Sequence, residues 1–216
     1  MLFDESASDV FNFCLRVAGS RDAAAAAATA AFLAARREPG LNPLAAARFE
    51  TARRIAEAGD DSGPAASHPV QKANGRLEVR AREVLALREL VGSCYAEIGE
   101  IADADRTAVA ELLWRARLAL HDELNGSRLA RIAPVADSCR RALALIAAEW
   151  DGEQDDAGER AWLRGHLRTC GKCRVSQKAA GDASVAYRAW APVPPPLGIR
   201  ESLLASDPAA PAAAGS

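Results

Sequence analysis

Apolar residues recur along most of this chain at three- and four-residue spacing, the period of a helix with one buried stripe. From Leu77 to Leu124 the stripe reads Val84, Leu85, Leu87 and Leu90, then Ile98 and Ile101, then Val109, Leu112, Leu113, Ala116 and Leu120. Breaks at Gly92-Ser93 and at Asp103-Ala104-Asp105 divide it into three helices, the middle one short and the last started by an aspartate cap. That is the grammar of a helix-turn-helix, and periodicity alone fits a generic three-helix bundle equally well. Before it, helical segments run to about Ala58, punctuated at Gly19-Ser20 and between Pro39 and Pro43. After it, a helix from about Val135 to Trp150 leads through Asp151-Gly152 into a second, Asp156 to Arg168.

Strand-forming runs are rare, whereas Ala, Leu, Arg and Glu recur throughout, so the predicted fold class is all-α. Gly, Pro, Ser, Asp and Asn crowd residues 59–76, which read as a flexible linker with a solvated His68 in it. The predicted organisation is therefore a helical segment over 1–58, the linker, a helix-turn-helix over 77–124, a two-helix module over 135–178, and a Pro- and Ala-rich tail over 179–216 with room for one short helix.

Charge narrows the function classes. The 27 basic and 29 acidic residues leave a formal charge of −2, so no global positive excess advertises a nucleic-acid partner. Across 76–124 seven arginines face ten acidic residues, a local balance of −3 that forfeits most of the counterion-release term in DNA affinity. Arg106, Arg115 and Arg117 are the candidate phosphate contacts; Arg115 and Arg117 can equally be solvated or pair with Glu111 and Asp122. The acidic N-terminus and the short, alanine-rich apolar run from Ala23 to Ala35 predict neither signal peptide nor membrane span, hence a cytoplasmic protein. No nucleophile lies beside a base and no phosphate loop is present, which argues against an enzyme with a small-molecule substrate.

Chemistry concentrates in the two-helix module. His166 and Cys170, four residues apart, share a helix face, and Cys170 and Cys173 form a CxxC knuckle. Cys139 lies before the Asp151-Gly152 turn about as far as His166 lies after it, so an antiparallel return brings the four together. Three cysteines and one histidine fill a tetrahedral site and leave no place for water, which predicts one structural zinc. The competing reading, a redox dithiol, belongs beside a βαβ unit, and no strand pattern accompanies this one. So short a module buries too little to stand unaided, so removal of the metal is expected to unfold it. Cys14 and Cys94, in apolar helical surroundings, read as small core residues.

HLRTCGKC, with Cys139 and AEWDGEQ before it, resembles the zinc-binding anti-sigma domain over about forty residues. REVLALRELVGSCYAEIGEIADADRTAVAELLWRARLAL resembles region 4 of extracytoplasmic-function sigma factors, and GSRDAAAAAATAAFLAARR with ARFETARRIAEA resembles their region 2. The resemblance implies a sigma-factor-like transcription regulator carrying an anti-sigma-like zinc module in cis, with RNA polymerase or another transcription regulator as partner and promoter DNA at most weakly held. Where that family carries an acidic polymerase-docking stretch, this chain has Ala26 to Ala30; where it directs Lys, Ser and Arg at DNA, this chain has Ala110, Glu111 and Leu112. These departures imply, as the alternative, a degenerate sigma fold serving as a protein-interaction or zinc- or redox-responsive regulatory module without promoter binding of its own.

Overall fold

The computed structural model describes residues 2–58, 68–131 and 136–206, and among these no strand occurs: the fold is all-α. The chain divides into two compact units, one made of residues 1–64 and 192–216, the other of 65–191.

In the first unit α1 (Leu2–Ala18), α2 (Arg21–Arg37) and α3 (Pro43–Ala58) pack on one another, and α11 (Leu197–Ala205) packs on α2. Small side chains make this possible. Ala24, Ala27, Ala28 and Ala31 of α2 are buried and let helices approach closely, while Val10, Phe11, Phe13, Val17 and Phe32 fill the space between. The stretch 192–206 does not trail away as its proline content suggests. Asn12, buried in α1, accepts from the Val193 amide and donates to the Val193 carbonyl, both at 2.8 Å, and Arg36 donates to the carbonyls of Leu203 and Ser206 at the end of α11. A buried amide meeting both backbone groups of one residue acts as a short strand partner, a pairing that helical periodicity does not reveal.

The second unit is built round α7 (Arg106–Asn125). Against it lie α4 (Pro69–Gly75), α5 (Val79–Leu85), α6 (Tyr95–Ala102), α8 (Asp137–Trp150) and α10 (Gly171–Ala189). α9 (Ala157–Thr169) lies against α8 and α10. Asp105 caps α7 by accepting from the Ala108 amide at 2.8 Å. The turn between α6 and α7 requires glycine at position 99, because a Cβ there would stand 2.5 Å from the Ala104 carbonyl oxygen. α5 runs into a π-helical turn, Ala86–Val91, which ends at Gly92 with φ of 83°. A π-turn rotates the side chains that follow it out of α-helical phase, and here Glu89 is buried.

Two expectations change. The C-terminal half of the stretch read as linker is α4, and His68 caps it, its Nδ1 accepting from the Val70 amide at 3.3 Å while its ring stacks on Trp190. The module read as ending at 178 continues without a break in α10 to Ala189, because Ala179, Ala180, Ala183 and Tyr187 carry on the buried stripe. The helices over 77–124 and over 135–178 share one compact unit, since α8 and α10 both pack on α7. The part of the linker over 59–67 and the connection over 132–135 lie outside the described residues.

Candidate metal centre

Gly152, with φ of 69°, closes the turn that sends α9 back along α8. That reversal brings Cys139, in the first turn of α8, beside His166, in the last turn of α9. Cys170 is the joint between α9 and α10, and Cys173 lies in the first turn of α10. The four donor atoms lie within 4.8 Å of one another. Cys139 Sγ stands 3.8 Å from Cys170 Sγ, and His166 Nε2 stands 3.3 Å from Cys173 Sγ. A zinc tetrahedron with ordinary bond lengths sets sulfurs about 3.8 Å apart and a nitrogen–sulfur pair about 3.6 Å apart. The cluster thus has the donor types and spacing of a metal site, and all four residues expected from sequence belong to it.

The thiols respond to each other. Burial and the neighbouring Cys170 and Cys139 push the Cys173 thiol up to about 12, whereas Cys170 is lowered, foremost by a backbone hydrogen bond from Cys173. A site that opposes ionisation of Cys173 is one that a dication completes, because the ion's charge reverses that preference.

The second constellation lies where the module meets α7. Arg117, 1% exposed, donates from Nη1 and Nη2 to the two carboxylate oxygens of Asp151 at 3.0 and 2.7 Å, and from Nε to Glu89 at 2.7 Å. Tyr95 donates its hydroxyl to Asp151 at 2.7 Å; Ser184 and Arg188 of α10 both donate to the second Glu89 oxygen, at 2.8 and 2.6 Å. Arg88 donates to the Asp151 carbonyl at 2.6 Å, and the Tyr95 amide to Glu153 at 3.1 Å. Burial alone would raise the Asp151 carboxyl, yet the hydrogen bonds and charge of Arg117, with Tyr95 and Arg88, hold it below the usual carboxylate range. Asp151 belongs to the turn between α8 and α9, Glu89 to the π-turn, and Arg117 to α7, so one buried network ties three parts of the unit together.

The candidate phosphate contacts fare differently from expectation. Arg117 is sealed in the interior and offers nothing to a nucleic acid; its partners are Glu89 and Asp151, where sequence spacing suggested Asp122. Arg115 is exposed and pairs with Glu111 at 3.3 Å, as its spacing suggested. Arg106, also exposed, pairs with Glu153 at 3.0 Å and lies over the Tyr95 ring. Cys14 is buried as expected, but Cys94 is exposed at the start of α6, where its amide donates to Glu97 at 2.9 Å. Asp151 and Glu89 escaped the sequence reading. The available signal was Arg117 itself, a charge at a stripe position between Leu113 and Leu120 that demands a buried counter-charge.

Comparison with family models, with curated proteins and with solved structures gives no match. Among the described residues no helix is long and apolar enough to cross a membrane.

Proposed function

We propose that this chain is a sigma-factor-like transcription regulator in which a zinc-binding, anti-sigma-like module is docked in cis on the helix-turn-helix, and that it acts through protein contacts rather than through promoter contacts of its own. The observation that carries this reading is the Arg117–Asp151 pair. It locks the turn of the metal module to α7, the helix that stands where the resemblance puts DNA recognition. Ala110, Leu113, Trp114, Ala116, Arg117 and Leu118 of that helix are all buried, and its exposed residues include Glu111. A carboxylate directed at phosphates repels them, and an arginine already paired must first break that pair to bind one.

Zinc is the ion proposed for the cluster, because three thiolates and one imidazole suit its softness and fill its four positions. The four ligands then fasten α8, α9 and α10 together, a structural role. RNA polymerase or another transcription regulator is the proposed partner. Promoter contact is the second reading, and it rests on Arg106 and Arg115, the two exposed arginines of α7.

Transcription in vitro with core polymerase and this chain as the only specificity factor, on promoters of its own host, tests the proposal. No specific initiation is expected. Robust initiation at defined start sites would overturn the reading in favour of a working sigma factor.

A further inference from the structure

Trp162 and Arg141 lie beside the four donors without donating. Trp162 is four residues before His166 on α9, so the two rings share a helix face, and they stack with centroids 5.3 Å apart and planes 13° from parallel. The Arg141 guanidinium, on α8 two residues past Cys139, lies 4.4 Å from the centre of the Trp162 ring. Arg141 is further held by Glu159 at 3.7 Å, whose other oxygen accepts from Gln154 at 2.8 Å.

A histidine that binds a metal through one ring nitrogen ordinarily has its plane set by a hydrogen bond from the other. Here Nε2 faces Cys173 Sγ, and among the described residues that is the one hydrogen-bond contact of the ring nitrogens. The ring still needs an orienting partner, since rotation about its last side-chain torsion is soft and turns Nε2 away from the thiols. We propose that Trp162, backed by Arg141, is the positioning residue of the metal site, its indole face setting the plane of the His166 ring and so aiming Nε2 at the ion. Arg141 adds a tie between the helix that brings Cys139 and the helix that brings His166, through a cation held over an aromatic face. Loss of the stack leaves the three cysteines in place and the fourth ligand free to swing out.

This inference rests on the reading of the cluster as a zinc site. Its test uses the full chain, stripped of metal and reloaded with zinc in competition with a chromophoric chelator, and separately loaded with cobalt(II), whose visible spectrum reports a tetrahedral ligand set. Trp162→Leu is expected to weaken zinc binding roughly 10-fold or more, to speed zinc release to the chelator, and to diminish the tetrahedral cobalt bands. Trp162→Phe, which keeps a ring to stack, restores both, and Arg141→Gln falls between. A packing role alone would lower the melting temperature of Trp162→Leu and leave the cobalt spectrum of the wild type intact. Wild-type affinity and spectrum in Trp162→Leu would overturn the inference while the zinc reading stands; a wild-type chain that takes up no zinc would remove both. Should Trp162→Leu not fold, Arg141→Gln, altered at a half-exposed side chain, decides: unchanged affinity and release rate there overturn the backing role.

Discussion

A guanidinium that is 1% exposed in a helical core is tolerated only if its charge and donors are met, and the Arg117 side chain meets Asp151 and Glu89 at hydrogen-bond distance. The pair is worth little as a net gain, because both partners gave up water to form it. Breaking it on one side is another matter. Arg117→Ala leaves two buried carboxylates facing each other across a hole, and should cost about 3–5 kcal/mol in chemical denaturation of the 65–191 unit. Cysteine reactivity gives a second residue-level prediction. Burial pushes the Cys14 thiol up to about 12, Cys94 is exposed, and the remaining three cysteines are the proposed metal ligands. Brief alkylation of the zinc-loaded native chain should therefore modify Cys94 alone. After chelation Cys139 and Cys170 should become modified, with Cys14 still spared, and mass spectrometry of the peptides reads the outcome.

At the level of elements, burial decides what the proposed metal would hold. Leu163 is the one buried residue of α9, whereas α8 buries Ala142, Leu145, Ile146, Ala147 and Ala148, and α10 buries seven residues including Tyr187. Sequence reasoning expected the whole module to unfold without its ion, since two short helices cannot bury enough. The shared core with α7 changes that balance. Chelation should strip hydrogen-exchange protection from α9 while α8 and α10 keep theirs, because a helix with one buried side chain draws its stability from ligation and its neighbours do not. Equal loss in all three helices would show that the metal holds the module entire. The elements themselves were largely legible. Breaks at Gly92-Ser93, Asp103–Asp105 and Asp151-Gly152 fall where helices end, because left-handed residues and caps are local chemistry. The four donors of the candidate site were legible too, since helix length and an antiparallel turn fix where Cys139 and His166 meet. What stayed hidden depends on distant partners: α4 with its His68 cap beside Trp190, the π-turn that buries Glu89, and the return of 192–206 to Asn12.

On the scale of the whole molecule, each unit closes on residues far apart in sequence. In one, α1 meets the stretch 192–206 at Asn12 and Val193; in the other, the turn between α8 and α9 meets the π-turn and α7 through Asp151, Glu89 and Arg117. The second arrangement bears on function. A helix whose stripe arginine is spent on its own chain, and whose exposed arginines each have a carboxylate, is built as a packed element. Counterion release needs basic side chains free to reach phosphates, and the balance over 76–124 is negative. The most direct test is a titration of host promoter duplexes with the zinc-loaded full chain at about 50 mM salt, where electrostatic attraction is strongest. The account predicts no sequence-dependent binding and at most the weak association, in the range of roughly 1–100 μM, typical of non-specific contact. Saturable binding to one promoter sequence at about 10 nM or tighter, the range of specific regulators, would contradict it and make α7 a reader of DNA.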